Sequence, residues 1–426
     1  MDVLPFDLAR VPPHWSVAPL AAHFDERKTQ VSDTDYAPLS VTKDGVVPQL
    51  ESAAKTDNND SRRLVRAGDF VINSRSDRKG SSGLSALDGS VSLIYTVLTP
   101  RGSIHPLFAH HLLRSRPFQE EFYRWGVGIV DDLWTTRYSA MKRIPLPLPP
   151  IDEQRRIADF LDRETAQIDA LIAKQEQFIA GLRERRDSLV GRVVFEGLRG
   201  GPLAESAARW LPSTPAAWPI TQLGYVANTL AGYAFPSEGF TQNPTHTRLL
   251  RGINVKPGGV DWSEVVYWDC DTDPVPARYQ LNPGDLVLGM DRPFIGSGVR
   301  VATITEQDAP ALLLQRVLRI RPTRLSDQGY LRHLFSTQAF SMYLEPMFTG
   351  VSVPHISEWQ VRKFRIPLPP LSEQHEISVH LDEQAARIDA LIVKAGELIA
   401  LARDRRAALI TEAVTGRLGL SSGRAV

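Results

Sequence analysis

Cysteine is nearly absent from this chain of 426 residues, because Cys270 is the only one. A lone cysteine forms no intrachain disulfide, which excludes the disulfide-rich class of secreted domains and favours a reducing compartment. No second cysteine is present for a thiolate zinc site. His110 and His111 are adjacent rather than one helical turn apart, so we interpret both as structural. The sequence therefore predicts no metal and no cofactor.

Long hydrophobic runs are also missing. No stretch approaches the roughly eighteen apolar residues of a membrane span, and the start MDVLPFDLAR lacks both regions of a signal peptide. With 42% hydrophobic and 23% charged residues, the composition is that of a folded soluble protein. The chain is too long for one ordinary core. We expect a cytoplasmic protein with two globular domains and extended helices.

Net charge is the third absence, since 49 Lys and Arg balance 49 Asp and Glu. The balance is also local: residues 1–150 hold 18 basic and 17 acidic side chains, and residues 201–366 hold 15 and 14. Nucleic-acid-binding domains usually carry a basic excess. Any DNA contact must therefore use clustered cations, or another subunit must supply most phosphate contacts.

An internal repeat is the main feature that the chain does have. Residues 147–198 match residues 367–418 at 24 of 52 positions, with a constant offset of 220 and no gap. Each copy follows a longer block of strand-like sequence. RAGDFVINSRSDRKGSSG from Arg66 parallels NPGDLVLGMDRPFIGSG from Asn282, which predicts an apolar strand entered through Gly-Asp and left through a Gly/Ser/Arg-rich loop. The duplication predicts two diverged domains related by a pseudo-twofold axis.

Both copies of the repeat have the apolar spacing of a long coiled-coil helix, alternating three and four residues. Proline fixes φ, so the PLPP that begins each copy predicts a rigid, extended entry. A helix packed only inside its own domain would not need duplication at this length. We therefore expect the helices to pair with each other and with further partners, through Leu161, Ile168, Leu171, Phe178, Leu381, Ile388, Leu391 and Leu398.

In this order of segments the chain resembles the specificity (S) subunits of type I restriction-modification enzymes. PLPP followed two residues later by Glu-Gln occurs twice, at Glu153 and Gln154 and at Glu373 and Gln374. The resemblance implies an α/β (α+β) fold with two target-recognition domains separated by two long helices that form an antiparallel coiled coil. The implied recognition domains are residues 1–146 and 200–366, and the implied helical regions are 147–199 and 367–426.

The resemblance also implies a function, which is sequence-specific binding of double-stranded DNA with one half of a bipartite target for each domain. Catalysis would belong to partners. Two methylation (M) subunits would bind around the helices and methylate adenine, and restriction (R) subunits would join the complete complex. The chain itself would have no catalytic residue and no cofactor.

Cations in the predicted strand-exit loops are the candidates for DNA contact. Arginine can bind guanine O6 and N7 bidentately, and neighbouring Gly and Ser let the backbone approach phosphate. LLRGINVKPGG from Leu249 adds three further candidates, and its asparagine could pair with adenine. The alternative for each residue is an ordinary solvated loop charge. The candidates are Arg75, Arg78, Lys79, Arg251, Asn254, Lys256, Arg292 and Arg300.

Two other functions stay open. DRPFIGSG, residues 291–298, resembles the cofactor loop of adenine-N6 DNA methyltransferases, which would make this chain a single-chain enzyme. Arg292 interrupts that motif, and the (D/N)PP(Y/F) tetrapeptide that holds the flipped adenine is missing from the sequence. Its alignment with SRSDRKGSSG of the first block favours a strand-exit loop. The third hypothesis is a coiled-coil scaffold that is indifferent to DNA sequence.

Overall fold

A computed structural model describes residues 6–43, 45–51, 61–75, 80–128, 134–206, 208–295, 298–348 and 354–419. The chain forms two compact units, and each long helix contributes to both. Unit 1 comprises residues 1–177 and 395–426, and unit 2 comprises residues 178–394. Each compact unit therefore contains one of the two strand-rich segments together with parts of both long helices. The division into four segments stays a prediction.

Unit 1 contains a four-stranded and a three-stranded sheet. Its strands are β1 (Ser16–Pro19), β2 (Phe24–Glu26), β3 (Gln30–Val31), β4 (Leu39–Thr42), β5 (Gly45–Pro48), β6 (Arg62–Val65), β7 (Phe70–Asn73), β8 (Ser82–Leu84), β9 (Gly89–Val91), β10 (Tyr95–Pro100) and β11 (Pro145–Leu148). The helices are α1 (Pro106–Arg114), α2 (Arg116–Arg124), α3 (Tyr138–Met141) and the first part of α4 (Ile151–Glu196). The larger sheet is antiparallel, with the order β2-β10-β7-β8, and β1 pairs with β11.

Unit 2 repeats this arrangement and adds to it. Its strands are β12 (Leu203–Ala204), β13 (Thr214–Pro215), β14 (Ile220–Gln222), β15 (Ala227–Ala231), β16 (Thr247–Leu250), β17 (Val255–Lys256), β18 (Gly259–Val260), β19 (Tyr267–Trp268), β20 (Gln280–Leu281), β21 (Leu286–Gly289), β22 (Phe294–Ile295), β23 (Gly298–Val299), β24 (Val301–Thr303), β25 (Ala311–Leu313), β26 (Val317–Pro322) and β27 (Arg365–Pro367). The helices are the last part of α4, α5 (Leu223–Val226), α6 (Gln328–Ser336), α7 (Gln338–Leu344), α8 (Glu358–Lys363) and the first part of α9 (Leu371–Val414), whose last part lies in unit 1. The sheet β15-β26-β21-β24 corresponds to that of unit 1, β14 pairs with β27, and a further sheet has the order β19-β16-β25-β20.

The buried central strand begins with the same turn in both units. Gly68 and Gly284 have φ of +93° and +89°, a left-handed conformation that favours glycine. The carboxylates that follow, on Asp69 and Asp285, each accept the backbone N–H of the residue three positions earlier at 2.8 Å. Every residue of β7 and β21 is buried. The prediction of an apolar strand entered through Gly-Asp is confirmed in both units.

The Glu-Gln pair of the sequence motif attaches each block to its long helix. Glu153 accepts the indole N–H of Trp15 at 3.2 Å, and Glu373 accepts that of Trp218 at 3.3 Å. A buried indole N–H requires such an acceptor. The motif therefore recurs because the same contact is made twice.

The two glutamines are more deeply buried than the glutamates. Gln154 and Gln374 are 1% and 0% exposed. Each side-chain oxygen accepts a backbone N–H at 2.8 Å, from His105 and Asp327, the residues that precede α1 and α6. Each amide NH2 donates to two carbonyls of its own unit. These buried, satisfied amides fix the start of one helix against the start of another.

A histidine–aspartate contact is also duplicated. Nε2 of His111 lies 2.7 Å from Oδ1 of Asp162, and Nε2 of His333 lies 2.8 Å from Oδ1 of Asp382. Burial lowers the pKa of both histidines, and the aspartates oppose that shift. The interaction joins α1 to α4 in unit 1 and α6 to α9 in unit 2.

The long helices, α4 and α9, have 46 and 44 residues, so each is roughly 65 to 70 Å long. Within each unit they run antiparallel, because partners rise along one helix as they fall along the other. The ion pairs are Asp169 with Arg406 and Glu176 with Arg403 in unit 1, and Arg186 with Asp389 and Arg199, just past α4, with Glu376 in unit 2. Across the described residues, no helix is long and apolar enough to cross a membrane.

The residues predicted for helix pairing and partner contact divide into buried and exposed positions. Leu161, Leu381 and Ile388 are buried, and Ile168 is half-buried. Leu171, Phe178, Leu391 and Leu398 are 39–48% exposed. Each of these four precedes an isoleucine that is buried or half-buried, namely residues 172, 179, 392 and 399. Where two successive helix residues are both apolar, the sequence does not show which of them faces the packed side. In the structure the second residue of each pair is the more buried one.

Candidate nucleic-acid interface

The strand-exit loop of unit 1 places Arg75 at the surface. It follows β7, its side chain is exposed, and its backbone N–H donates to Oδ1 of Asn73 at 3.0 Å. An isolated β-bridge joins Arg75 to Thr135. The other two candidates of this loop, Arg78 and Lys79, lie outside the described residues. Arg75 is thus held by its backbone while its guanidinium stays accessible.

The matching loop of unit 2 brings together residues from three segments. Arg292 is exposed, and its backbone N–H donates to the carbonyl of Pro354 at 2.7 Å. Nδ1 of His355 lies 2.7 Å from Oδ1 of Asp291, and Nη1 of Arg316 lies 2.8 Å from Nε2 of the same histidine. Two arginines and a histidine therefore form one exposed polar cluster at the exit of β21.

Backbone strain also marks this cluster. Arg292 and Arg316 have φ of +45° and +69°, and they are the two non-glycine residues with positive φ in the described part of the chain. Such a conformation costs about 1 to 2 kcal/mol for a residue with a Cβ. Strain of this kind concentrates at functional sites. Sequence reasoning missed Arg316, because a lone arginine between two apolar strands has no motif.

Two candidates of unit 2 are buried, which corrects their interpretation as DNA contacts. Asn254 is 1% exposed, and its side chain binds the backbone N–H of Arg251 at 3.1 Å and the carbonyl of Asp261 at 2.9 Å. Arg300 is 9% exposed and donates to the carbonyls of Val255 at 2.9 Å and Asp291 at 3.0 Å. Burial lowers the pKa of Arg300. Both side chains brace the backbone and present no free edge to a base.

The remaining two candidates, Arg251 and Lys256, are half-buried in the same region. Arg251 donates to the carbonyl of Glu264, and Nζ of Lys256 lies 3.9 Å from Oδ2 of Asp261. The side chain of Lys256 is 42% exposed. Its role in DNA contact stays a prediction, as does that of Arg251. The structure brings neither into the cluster around Arg292.

Among the side chains that the structure describes, no three His, Cys, Asp or Glu residues form a group able to hold a metal ion. The carboxylate of Asp291, the first residue of the methyltransferase-like motif, contacts His355 instead of standing free. Gly296 and Ser297 of that motif lie outside the described residues.

Comparison with known proteins gives sequence matches and fold matches. No family model matches the chain. It is 36% identical over 170 residues to the type I restriction enzyme EcoAI specificity subunit of Escherichia coli, covering 40% of this chain and 28% of that protein. Identity to the MjaVIII specificity subunit of Methanocaldococcus jannaschii is 27% over 252 residues, which is 59% of this chain and 56% of the relative. The EcoKI specificity subunit of E. coli K12 is 24% identical over 365 residues, 82% of this chain and 75% of that protein.

The fold matches extend over nearly the whole chain. A chain from a solved structure of the type I R-M system superposes with a TM-score of 0.73 and 18% identity, covering 96% of this chain and 99% of that one. The HsdS subunit from Thermoanaerobacter tengcongensis gives a TM-score of 0.53 and 19% identity, with 96% and 98% covered. At such identities the likeness concerns the fold, and it confirms the predicted fold class.

The alignments with the first two specificity subunits span 28% and 56% of those proteins, and the fold likeness spans 96% of this chain. The sequence matches and the shared fold agree. The chain is therefore similar in sequence to specificity subunits of type I restriction-modification systems, and it has the fold of the HsdS subunit.

Proposed function

We propose that this chain recognises a bipartite sequence in double-stranded DNA, with one half-site for each unit, as the non-catalytic specificity subunit of a cytoplasmic type I restriction-modification complex. The proposal rests on one observation, which is that the two units share the same framework contacts but have different strand-exit loops. Both units keep the Gly-Asp turn and the Glu, Gln and His contacts to the long helices. Their strand-exit loops differ in sequence, as recognition of two different base sequences requires.

The arginines of the strand-exit loops are the proposed base contacts. In unit 1 the proposed base contacts are Arg75, Arg78 and Lys79. In unit 2 they are Arg292 and Arg316. A guanidinium binds guanine O6 and N7 through two parallel hydrogen bonds, which distinguishes guanine from other bases by about 1 to 3 kcal/mol. The backbone N–H groups of Arg75 and Arg292 each donate a hydrogen bond, which holds in place the Cα atom from which the side chain extends.

The exposed apolar residues of the long helices are the proposed docking sites for methylation subunits. Leu171 corresponds to Leu391 in the repeat, and Phe178 corresponds to Leu398. Unit 1 holds Leu171 and Leu398, and unit 2 holds Phe178 and Leu391. Of these four residues, each unit thus presents one from each helix, which suits two copies of one partner. Restriction subunits would join the complete complex, and catalysis would belong to these partners.

Exchange of one block tests the proposal. Residues 1–145 are replaced by the equivalent block of another specificity subunit, and the chain is expressed with its methylation subunit. Sequencing of methylated adenines in the host should show one half of the target changed and the other half unchanged. A change in both halves would contradict the division of recognition between units. A footprint without sequence preference would favour the scaffold hypothesis, and binding of S-adenosylmethionine to the isolated chain would favour the single-chain enzyme.

A further inference from the structure

A pair of adjacent cations follows the same short helix in both units. Lys142 and Arg143 follow α3 in unit 1, and Arg362 and Lys363 end α8 in unit 2. The offset between the pairs is 220 residues, as in the helical repeat, although they precede it. All four side chains are exposed. Two positive charges have therefore been kept at one place in both copies.

Backbone hydrogen bonds show that the two places are structurally equivalent. The N–H of Leu20 donates to the carbonyl of Ile144 at 2.9 Å, and the N–H of Leu223 donates to the carbonyl of Phe364 at 2.8 Å. Each acceptor comes directly after the cationic pair, and each donor lies just past β1 or β14. The pairs thus lie at the same point of the shared framework, outside the diverged strand-exit loops.

The four cations have no carboxylate partner among the described residues. Arg362 donates to two neutral oxygens, Oγ1 of Thr229 at 3.2 Å and the carbonyl of Gly224 at 3.3 Å. Nζ of Lys363 lies 5.5 Å from the ring centre of Trp359. Cations also stabilise helix C-termini. Helices of four and six residues have few aligned peptides, so this effect accounts poorly for two exposed charges in each copy.

Two exposed aromatic residues accompany the pair in unit 2 alone. Trp359 is 66% exposed and Tyr225 is 71% exposed, and the helices that carry them, α8 and α5, pack together. Corresponding positions in unit 1 are Ser139, by the offset of 220, and Ala22, by the offset that relates Leu223 to Leu20. The cations are common to both units and the aromatic residues are not.

We propose that Lys142 with Arg143, and Arg362 with Lys363, bind the phosphate backbone of DNA beside the half-site of their own unit, and that Trp359 and Tyr225 strengthen this contact in unit 2. The inference rests on the proposed function. Phosphates are the same at every sequence, so a phosphate contact can be retained through duplication while base contacts diverge. An indole N–H and a phenol O–H are further donors to phosphate oxygens.

Salt dependence of DNA binding tests the proposal on the chain assembled with its methylation subunits. The variants are Lys142→Gln with Arg143→Gln, and Arg362→Gln with Lys363→Gln. The slope of log K against log salt should become less steep by about 0.9 for each phosphate that is no longer neutralised, equally on target DNA and on DNA with an altered half-site. Lys142→Arg with Arg143→Lys keeps the charges and should keep the slope. Arg324→Gln removes a single exposed cation elsewhere and should also keep it.

The aromatic residues are tested separately, because they carry no charge. Trp359→Ala with Tyr225→Ala should weaken binding severalfold without changing the slope, and Ala22→Tyr with Ser139→Trp should strengthen binding through unit 1. Unchanged slopes in both glutamine variants would overturn the proposal. Loss of methylation-subunit binding at unchanged slope would overturn it in favour of a protein contact.

Failure of the proposed function gives a different result. Suppose that the unaltered complex binds all sequences equally and that the slope is less steep in the glutamine variants. The phosphate contact is then supported, and the proposed sequence recognition is contradicted. If the unaltered complex prefers its target while the slopes stay the same, only the phosphate contact fails.

Discussion

Arg316 combines an exposed guanidinium with a strained backbone. At φ of +69° its Cβ is unfavourable, so Arg316→Gly should raise the free energy of unfolding by about 1 kcal/mol. The same change should weaken binding to the half-site of unit 2 by about 1 to 3 kcal/mol, because glycine has no side chain to bind a base. Chemical denaturation and equilibrium binding measure these opposite effects. An equal fall in affinity on all sequences would instead assign Arg316 to phosphate.

His110 makes unit 1 sensitive to acid. Burial lowers its pKa to about 3, and the neighbouring positive charge of Arg114 adds to the shift. Below about pH 6.5 the unfolded chain binds a proton that the folded chain does not. The free energy of unfolding should therefore fall as the pH falls from about 6.5 towards 3, by up to about 1.4 kcal/mol per pH unit for this residue.

Urea denaturation at several pH values, compared between the unaltered chain and His110→Gln, measures this contribution. The variant should show a shallower dependence on pH. Burial also lowers the pKa values of His111 and His333, so part of the pH dependence of stability remains in the variant. Identical curves for the two proteins would contradict the assignment to His110.

At the scale of elements, successive apolar residues on the long helices have different roles. Leu171 is exposed and Ile172 is half-buried. Leu171→Ser with Leu391→Ser should leave the melting temperature nearly unchanged and weaken binding of methylation subunits by about tenfold or more, because burying each leucine against a partner contributes about 1.5 kcal/mol or more. Ile172→Ser is the matched control and should lower the melting temperature. Calorimetry with the methylation subunit separates the two effects, and undiminished binding by the leucine variants would exclude these positions as docking sites.

The long helices are also proposed to set the spacer between half-sites. Insertion of seven residues after Ala173 and seven after Val393 preserves the heptad phase and lengthens each helix by about 10 Å. Along B-DNA that equals about three base pairs for a rod parallel to the duplex. Methylated sites in the host should then show a longer spacer with the same half-sites. A three-residue insertion should rotate the packed face and impair assembly, and an active seven-residue variant with an unchanged spacer would refute this role.

At the scale of the whole molecule, the chain should be catalytically silent. The sequence lacks the tetrapeptide that holds a flipped adenine, and Asp291 of the methyltransferase-like motif is bound to His355. Purified chain should neither methylate DNA nor bind S-adenosylmethionine, and adding its methylation subunit should produce adenine methylation. Transfer of methyl groups by the chain alone, with loss of activity on Gly296→Ala, would contradict this expectation.

Local sequence determined the elements that recur. The gapless repeat predicted two long helices, Gly-Asp predicted the entry to a buried strand, and PLPP predicted the extended entry to each helix. Each signal depends on residues that are close in sequence, where allowed φ values and side-chain spacing limit the conformation. The fold class and the resemblance to specificity subunits could be predicted from these signals, and both are confirmed.

Only the tertiary structure determined which side chains are accessible to DNA or to a partner subunit. Asn254 and Arg300 have the residue types of DNA contacts, yet both are buried in bonds to backbone carbonyls. Arg316 joins Arg292 only because His355, from a distant segment, lies between β21 and the turn before β26. Leu171 and Ile172 are equally apolar, and only packing within the folded unit distinguishes them. Burial and hydrogen-bond partners come from contacts between segments far apart in sequence, which local spacing does not specify.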